Sequence, residues 1–303
     1  MKKFITKLNV FIALLLVLAM TSGTAAFAEE AGGKESNTAA PRRDARAESE
    51  ESVIDEAALQ AAFEEVLEKD GLTAKRYQNR YAVGFCYLDT GEEWYINGDK
   101  FMYSASIYKL PLCMMVSEAK KTGTLPANWD YDDSTYEYVF DNVLLYSDND
   151  LAHALYRRMG GGIKCRAQFT EFSDLGYDEV GEANIQASNF SPEYMIDILQ
   201  TLYYEEERFP GVLSRMKQAQ PGEFIRASKE IRENYEVAQK YGQYKYTTNV
   251  AGIIYTPHPV AVVILTDLGN SGRRFIADTA EALAEASMEF GTDAGEKLPQ
   301  NGN

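Results

Sequence analysis

Two groups of strand-like segments stand near opposite ends of the chain, and a long helical stretch separates them. Residues 80–89 (RYAVGFCYLD) form an apolar run with strong β-formers, Thr90-Gly91 reads as a turn, and Glu93 to Ile96 as a second strand. Three further strands are expected over Glu236 to Tyr246, Val250 to Thr256 and Val260 to Thr266, with Pro257-His258-Pro259 as the last turn. Between about 110 and 232 the apolar spacing is mainly helical, with Asp141 to Met159 read as one helical region. Ser191-Pro192-Glu193 is a helix start: a capping serine, proline at the first position, and an acid in the first turn. Before the first strands, Val53 to Lys69 carries Ile54, Leu59, Phe63 and Val66 at helical spacing. After the last strand, Arg273 to Phe290 is a closing amphipathic helix.

Strands so far apart in the chain bury their faces most simply in a single antiparallel sheet. The expected fold is therefore α/β, of the α+β kind. About five antiparallel strands are covered by the N- and C-terminal helices, and an all-helical lobe is inserted over about 110–232. A cleft between sheet and lobe is the natural place for a site.

The folded region is expected over 53–291, long enough for a substantial core. Before it, Lys2, Lys3 and Lys7 precede an apolar run from Val10 to Met20, and Ala26-Phe27-Ala28 fits small-x-small cleavage. Residues 1–28 are expected to be a signal peptide, so the mature chain is secreted and begins at Glu29. Residues 29–52 contain no aromatic or large aliphatic side chain and read as a disordered acidic linker. Residues 292–303 read as a polar tail. The apolar run is too short to span a bilayer comfortably, and no other segment is long enough, so no transmembrane anchor is expected.

Net charge narrows the partners. The chain carries −16, and loss of the signal's three lysines takes it to about −19, which disfavours nucleic acid and anionic membranes. The expected partner is a small molecule, and the chain is expected to act as a monomer. Cys86, Cys113 and Cys165 are an odd number, so at most one disulfide can form. His153 and His258 are the only histidines. A histidine-based zinc site and a Ser-His-Asp triad are both disfavoured, and no metal or cofactor is expected.

Nucleophilic chemistry, if present, then falls to lysine as base. Ser106 and Lys109 lie in the apolar stretch MYSASIYKLPLCMMV, three residues apart and on one face if that stretch is helical. Burial lowers the pKa of a lysine, and a neutral lysine can take a proton from a serine. Pro111, five residues past Ser106, looks like a breach of helix propensity. The same Ser-x-x-Lys spacing recurs at Ser117 with Lys120 and at Ser214 with Lys217. Ser106 is preferred for its apolar flanks and its position just after the second strand.

Ser147-Asp148-Asn149 is a sharper signal. Ser147 is placed to relay a proton, Asn149 to hold a substrate amide, and Asp148 to brace the loop; the plainer reading is a helix cap. Lys240-Tyr241-Gly242 lies in the first late strand. There Lys240 would bind a carboxylate and depress Lys109, and Gly242 would let a substrate backbone approach the strand edge. The literal Lys121-Thr122-Gly123 follows a helix, and Gly123 reads as its C-cap.

Ser-x-x-Lys, Ser-Asp-Asn and Lys-x-Gly on a strand, in that order, resemble the signature of penicillin-recognising serine enzymes, class A β-lactamases in particular. The resemblance covers nearly all of Val53 to Phe290, and the order of helices and strands is similar too. It implies that Ser106 is acylated, that Lys109 is a base and that Ser147 is a proton relay. It also implies substrate contacts at Asn149, Lys240, Tyr241, Gly242 and Gln243, with the N–H groups of Ser106 and Gln243 as the oxyanion hole. The substrate it implies is a β-lactam or a peptidoglycan stem peptide. Alternatives are a D-alanyl-D-alanine peptidase-like enzyme and a non-hydrolytic sensor.

Three departures stand out. Tyr241 replaces the usual Thr or Ser, no arginine lies on the following strand, and the Glu-x-x-Leu-Asn loop that supplies the family's deacylation base has no clear match. Glu179 and Glu182 are the nearest acids, at other spacings, and read more simply as part of a solvated loop.

Overall fold

The structure is a computed structural model, and it describes residues 54–295. The signal peptide and linker expected over 1–52 lie outside the described residues. Helix α1 (Glu56–Lys69) starts at Asp55, whose side chain accepts from Ala58 N–H, and buries Leu59, Phe63 and Val66. Strands β1 (Tyr81–Tyr87), β2 (Glu93–Ile96) and β3 (Met102–Tyr103) follow. The inserted block holds α2 (Lys109–Thr122), α3 (Asp133–Leu144), α4 (Asn149–Arg158), α5 (Gly162–Gln168), α6 (Tyr177–Val180), α7 (Glu182–Ala187), β4 (Asn189–Phe190), α8 (Pro192–Tyr204), α9 (Val212–Met216) and α10 (Lys229–Asn234). Strands β5 (Glu236–Tyr244), β6 (Thr247–Tyr255) and β7 (Val260–Thr266) then lead to α11 (Gly272–Gly295).

The five long strands form one sheet in the order β2-β1-β7-β6-β5, every neighbouring pair antiparallel. This is the expected sheet, closed by strands from both ends of the chain. Strands β1 and β7 are buried along their whole length because both faces are covered, which explains their unbroken apolar runs. Side chains alternate between two cores. Val83, Phe85, Val262 and Ile264 pack with α1 and α11, while Ala82, Cys86, Val263 and Leu265 pack with the inserted block. Helix α8 lies close to β1, since a Cβ on Gly84 would come within 3.0 Å of Ile196 and 3.1 Å of Pro192. Ser191 caps α8 through Tyr194 N–H, with Pro192 in its first turn, as its sequence requires.

Several boundaries differ from expectation. The region Asp141 to Met159 is not one helix: α3 ends at Leu144, α4 begins at Asn149, and Ser147 between them has φ 60°. The first late strand stops at Tyr244 and the next begins at Thr247, so Lys245-Tyr246 is a tight hairpin turn with Lys245 at φ 54°. The inserted block is not all-helical, because β4 within it pairs with β3 (Met102↔Phe190, Tyr103↔Asn189). Helix α11 continues to Gly295, into the expected tail. Pro111 breaks no rule: it is the third residue of α2, where the N–H has no intrahelical partner to lose. Gly123 is the left-handed C-cap of α2, at φ 70°. All three cysteines are buried and free.

Candidate active site

Ser106 is not inside a helix. It lies in a run of tight turns just before α2, in which Ile107 N–H bonds Ser104 O at 3.2 Å and Lys109 N–H bonds Ser106 O at 3.3 Å. Ala105, immediately before it, has φ 47°. Lys109 opens α2 and has no accessible surface. Its Nζ lies 3.2 Å from Ser106 Oγ, 2.5 Å from Ser147 O, 3.2 Å from Ser147 Oγ and 2.7 Å from Asn149 Oδ1. A neutral amine has two N–H donors and one lone pair. The carbonyl of Ser147 and the amide oxygen of Asn149 can only accept, so they take both N–H bonds. The lone pair is then left for a hydroxyl proton, from Ser106 or Ser147.

Burial pushes Lys109 down to about 8, against the opposing pull of the Asp148 carboxylate. Lys240 is fully enclosed, with Nζ donating to Tyr241 O at 3.1 Å, and is held well below the ordinary lysine range by burial and then by Lys109. This corrects two expectations. Burial, and not Lys240, lowers Lys109; it is Lys109 that adds to the lowering of Lys240. Nor does the Lys240 amine reach the surface to meet a carboxylate; Lys245 and Arg273 line the open cleft on that side.

Gly242 has a different use from the one expected. A Cβ there would sit 2.5 Å from Ser106 N, 2.9 Å from Ser104 O and 3.0 Å from Ile107 N. What approaches the strand at Gly242 is therefore the turn that carries Ser106. Ser106 N–H has no acceptor among the described residues, as an oxyanion donor requires. Gln243, the next residue on this edge strand, is exposed, and its side chain accepts from Arg273 at 2.7 Å. Tyr241 stacks on Phe224 at 4.6 Å, and its hydroxyl is engaged with Gln220 (3.2 Å) and Tyr146 O (3.4 Å). It ties β5 to the segment that bears Ser147. Asp148 caps α4 through Leu151 N–H at 2.8 Å, which is both the plain reading and the brace.

Sequence reading missed two positioning residues. Buried Asn249 on β6 donates to Tyr103 O at 2.8 Å and accepts from Thr266 N–H at 2.9 Å, anchoring the approach to Ser106 on the sheet. Ser188, at φ 58°, accepts from Ser104 N–H at 2.9 Å, and its hydroxyl is 3.0 Å from that of Ser104. A polar residue beside an apolar run was the only signal for Asn249. The other two Ser-x-x-Lys pairs separate cleanly. Buried Ser117 donates to Pro210 O, and exposed Ser214 donates to Gly211 O, neither with a lysine partner. Exposed His153 lies on α4, and His258 faces Asp89 at 3.0 Å. Glu179 and Glu182 are exposed, and Glu182 accepts from Gln186 at 2.7 Å. The segment that does pair beside the Ser106 turn carries Ser188 and Asn189, a hydroxyl and an amide. Among the described residues, no carboxylate hydrogen-bonds Ser106, Lys109 or Ser147, and no group of His, Cys, Asp and Glu could hold a metal ion.

The sequence profile of the β-lactamase enzyme family matches residues 59–133 and 130–287, nearly the whole described region. The chain belongs to the β-lactamase enzyme family. No curated protein matches it. Among solved structures, it is similar to the reconstructed last common ancestor of Gram-negative bacterial class A β-lactamases, with 20% identity and a TM-score of 0.60 over 75% of this chain and 99% of that one. An engineered variant of that ancestor, bound to a nitrobenzotriazole transition-state analogue, gives 19% identity and 0.61 over 76% and 99%. A β-lactamase from Xanthomonas campestris gives 15% and 0.60 over 78% and 99%. At these identities the likeness is one of fold, and the fold is that of class A β-lactamases. Within that fold, this β-lactamase-family chain places the Ser188 hydroxyl against the turn bearing its Ser-x-x-Lys serine, while the Asn189 amide bonds Asn184; among the described residues no carboxylate bonds that serine.

Proposed function

We propose that this chain is an exported serine hydrolase that forms an acyl-enzyme on Ser106 with β-lactams or related amides and releases the acyl group slowly. The observation that carries the reading is the four-way contact of Lys109 Nζ, with the lysine lowered to about 8. Neutral Lys109 takes the Ser106 hydroxyl proton as Oγ attacks the carbonyl. The oxyanion meets the N–H of Ser106 and, next along the edge strand, that of Gln243. Ser147 Oγ passes a proton to the leaving nitrogen as the amide C–N bond breaks, and Lys109 returns it to Ser147.

Deacylation needs a second base to activate water, and loss of a positioned general base slows a step about 10²–10⁴-fold. The absence of a carboxylate bonded to Ser106, Lys109 or Ser147 among the described residues supports slow release. Intact-mass measurement after exposure to penicillin tests both halves. The expected result is an adduct on the unaltered chain that persists for minutes after excess drug is removed, and none on Ser106→Ala. Labelling of Ser117 or Ser214, or decay within seconds, contradicts the reading. The same lack of a base favours, as a second reading, a sensor that is acylated without turnover. A chromogenic cephalosporin separates the two by whether any multiple-turnover hydrolysis occurs.

A further inference from the structure

Four exposed tyrosines border the candidate site, each on a different part of its frame. Tyr103 lies three residues before Ser106, Tyr146 directly precedes Ser147, Tyr244 directly follows Gln243, and Tyr246 is in the hairpin turn. Their exposures are 43%, 69%, 54% and 69%. The backbone of each is pinned while the ring stands out. Tyr103 O accepts from Asn249, Tyr146 O from Tyr241 Oη, and Tyr246 O from Gly269 N–H, while Tyr244 pairs with Thr247. The rings of Tyr103 and Tyr244 meet edge to face at 5.8 Å. Beyond Tyr244 lies an open cleft of about 320 Å³, lined in part by Gln243, Lys245, Thr247, Asn270 and Arg273.

We propose that Tyr103, Tyr146, Tyr244 and Tyr246 are a carbohydrate-binding rim, over which a neutral saccharide chain lies with its substituted end directed at Ser106. A pyranose presents an apolar C–H face and a hydroxylated edge. Tyrosine matches the face with a π surface at low conformational cost, and the cleft's amides and hydroxyls match the edge. An apolar peptide or a lipid would bury the polar groups of Asn270 and Thr247 that line the cleft without offering them hydrogen bonds, whereas Arg273 is already held by Glu223 and Gln243. A polyanion is disfavoured because Arg273 already faces Glu223 at 2.6 Å and the chain carries −16. Only the direction of the chain rests on the reading of Ser106 as the acylated residue.

The test is calorimetric titration of the full chain with the β-1,4-linked tetramer of N-acetylglucosamine, run beside the penicillin adduct measurement. The expected result is saturable binding that is retained in Ser106→Ala and weakened about three- to tenfold by Tyr103→Ala or Tyr244→Ala, with thermal midpoints unchanged. Tyr204→Ala is the control. Tyr204 is 49% exposed and bonded to Leu88 O, next to Tyr87↔Val260 and so at the opposite end of the sheet from Gln243↔Thr248↔Thr266. No binding by a chain that penicillin still acylates overturns the rim and leaves the acylation reading standing. Equal weakening by Tyr204→Ala also overturns it. Binding without any adduct upholds the rim and removes the acylation reading.

Discussion

Lys109 is useful as a base only in the fraction that has lost its proton. With a pKa lowered to about 8, about one lysine in ten is neutral at pH 7, against far fewer for an exposed lysine near 10.5. The sign follows directly: acylation needs the neutral form, so its rate rises with pH. The acylation rate constant with a penicillin in excess should rise about tenfold per unit between pH 6 and 7 and level off above about 8. Stopped-flow or quenched mass measurements across that range check this, and a flat profile would remove Lys109 from the role. Burial sets the shift, so it does not need a second cation. Lys240, fully buried and itself lowered first by burial and then by Lys109, fits that view.

At the scale of elements, the site is made where three segments are held in uncommon backbone conformations. Ala105, Ser147 and Ser188 all have positive φ, at a cost of about 1–3 kcal/mol each, and each lies at or beside the contact of sheet, α2 and α4. Strand β5 meets the turn before α2 at Gly242, where the near neighbours are backbone atoms that cannot swing aside as a side chain would. Gly242→Ala should therefore push the Ser106 turn away from the strand. The expected outcome is a fall in acylation rate of 10²-fold or more, in line with loss of an oxyanion donor, at a stability cost of about 1–3 kcal/mol. Adduct formation rates and urea midpoints read the two effects separately; unchanged acylation would show that the strand does not set the hole.

The whole molecule is closed where its two terminal helices meet on the sheet. Arg274 on α11 lies 2.7 Å from Asp70 at the end of α1 and 3.3 Å from Asp278, and it donates to Lys69 O at 3.2 Å. Lys69 lies 3.1 Å from Asp278. Asp70 is raised above the usual carboxylate value by burial and then by Asp278, with Arg274 and Lys69 opposing. The folded state thus holds the Asp70 proton more tightly than the unfolded chain. That contribution is full below the unfolded value of 3.8 and is lost as pH rises through the folded value. Arg274→Met leaves two carboxylates facing each other. With Arg274 61% exposed and Lys69 still beside Asp278, solvent screening keeps the effect small: the variant should lose about 0.5–1 kcal/mol of stability at pH 7 and less near pH 4, where Asp70 begins to protonate. Denaturation of both chains at the two pH values checks it; a loss independent of pH would assign the effect to packing.

Much of this was legible in the chain alone, for a local reason. Alternation at period two and helical spacing are short-range properties, so the strands, the Ser191 cap, the Gly123 cap and the antiparallel sheet joining both ends could be read directly. The residues Ser106, Lys109, Ser147 and Asn149 were legible as motifs, and the structure brings them within hydrogen-bonding distance. What the chain could not show was decided by contacts between segments far apart. The break at Ser147, the two-residue hairpin before Thr247, the turn that frees Pro111 from blame, and the approach of Ser104 to Ile107 against Gly242 all depend on where the sheet meets the inserted block. Desolvation is likewise a property of surroundings. Lys109 and Lys240 have the same side chain, and only their packing in the folded molecule leaves one bonded to two serines and an asparagine and the other enclosed under β5.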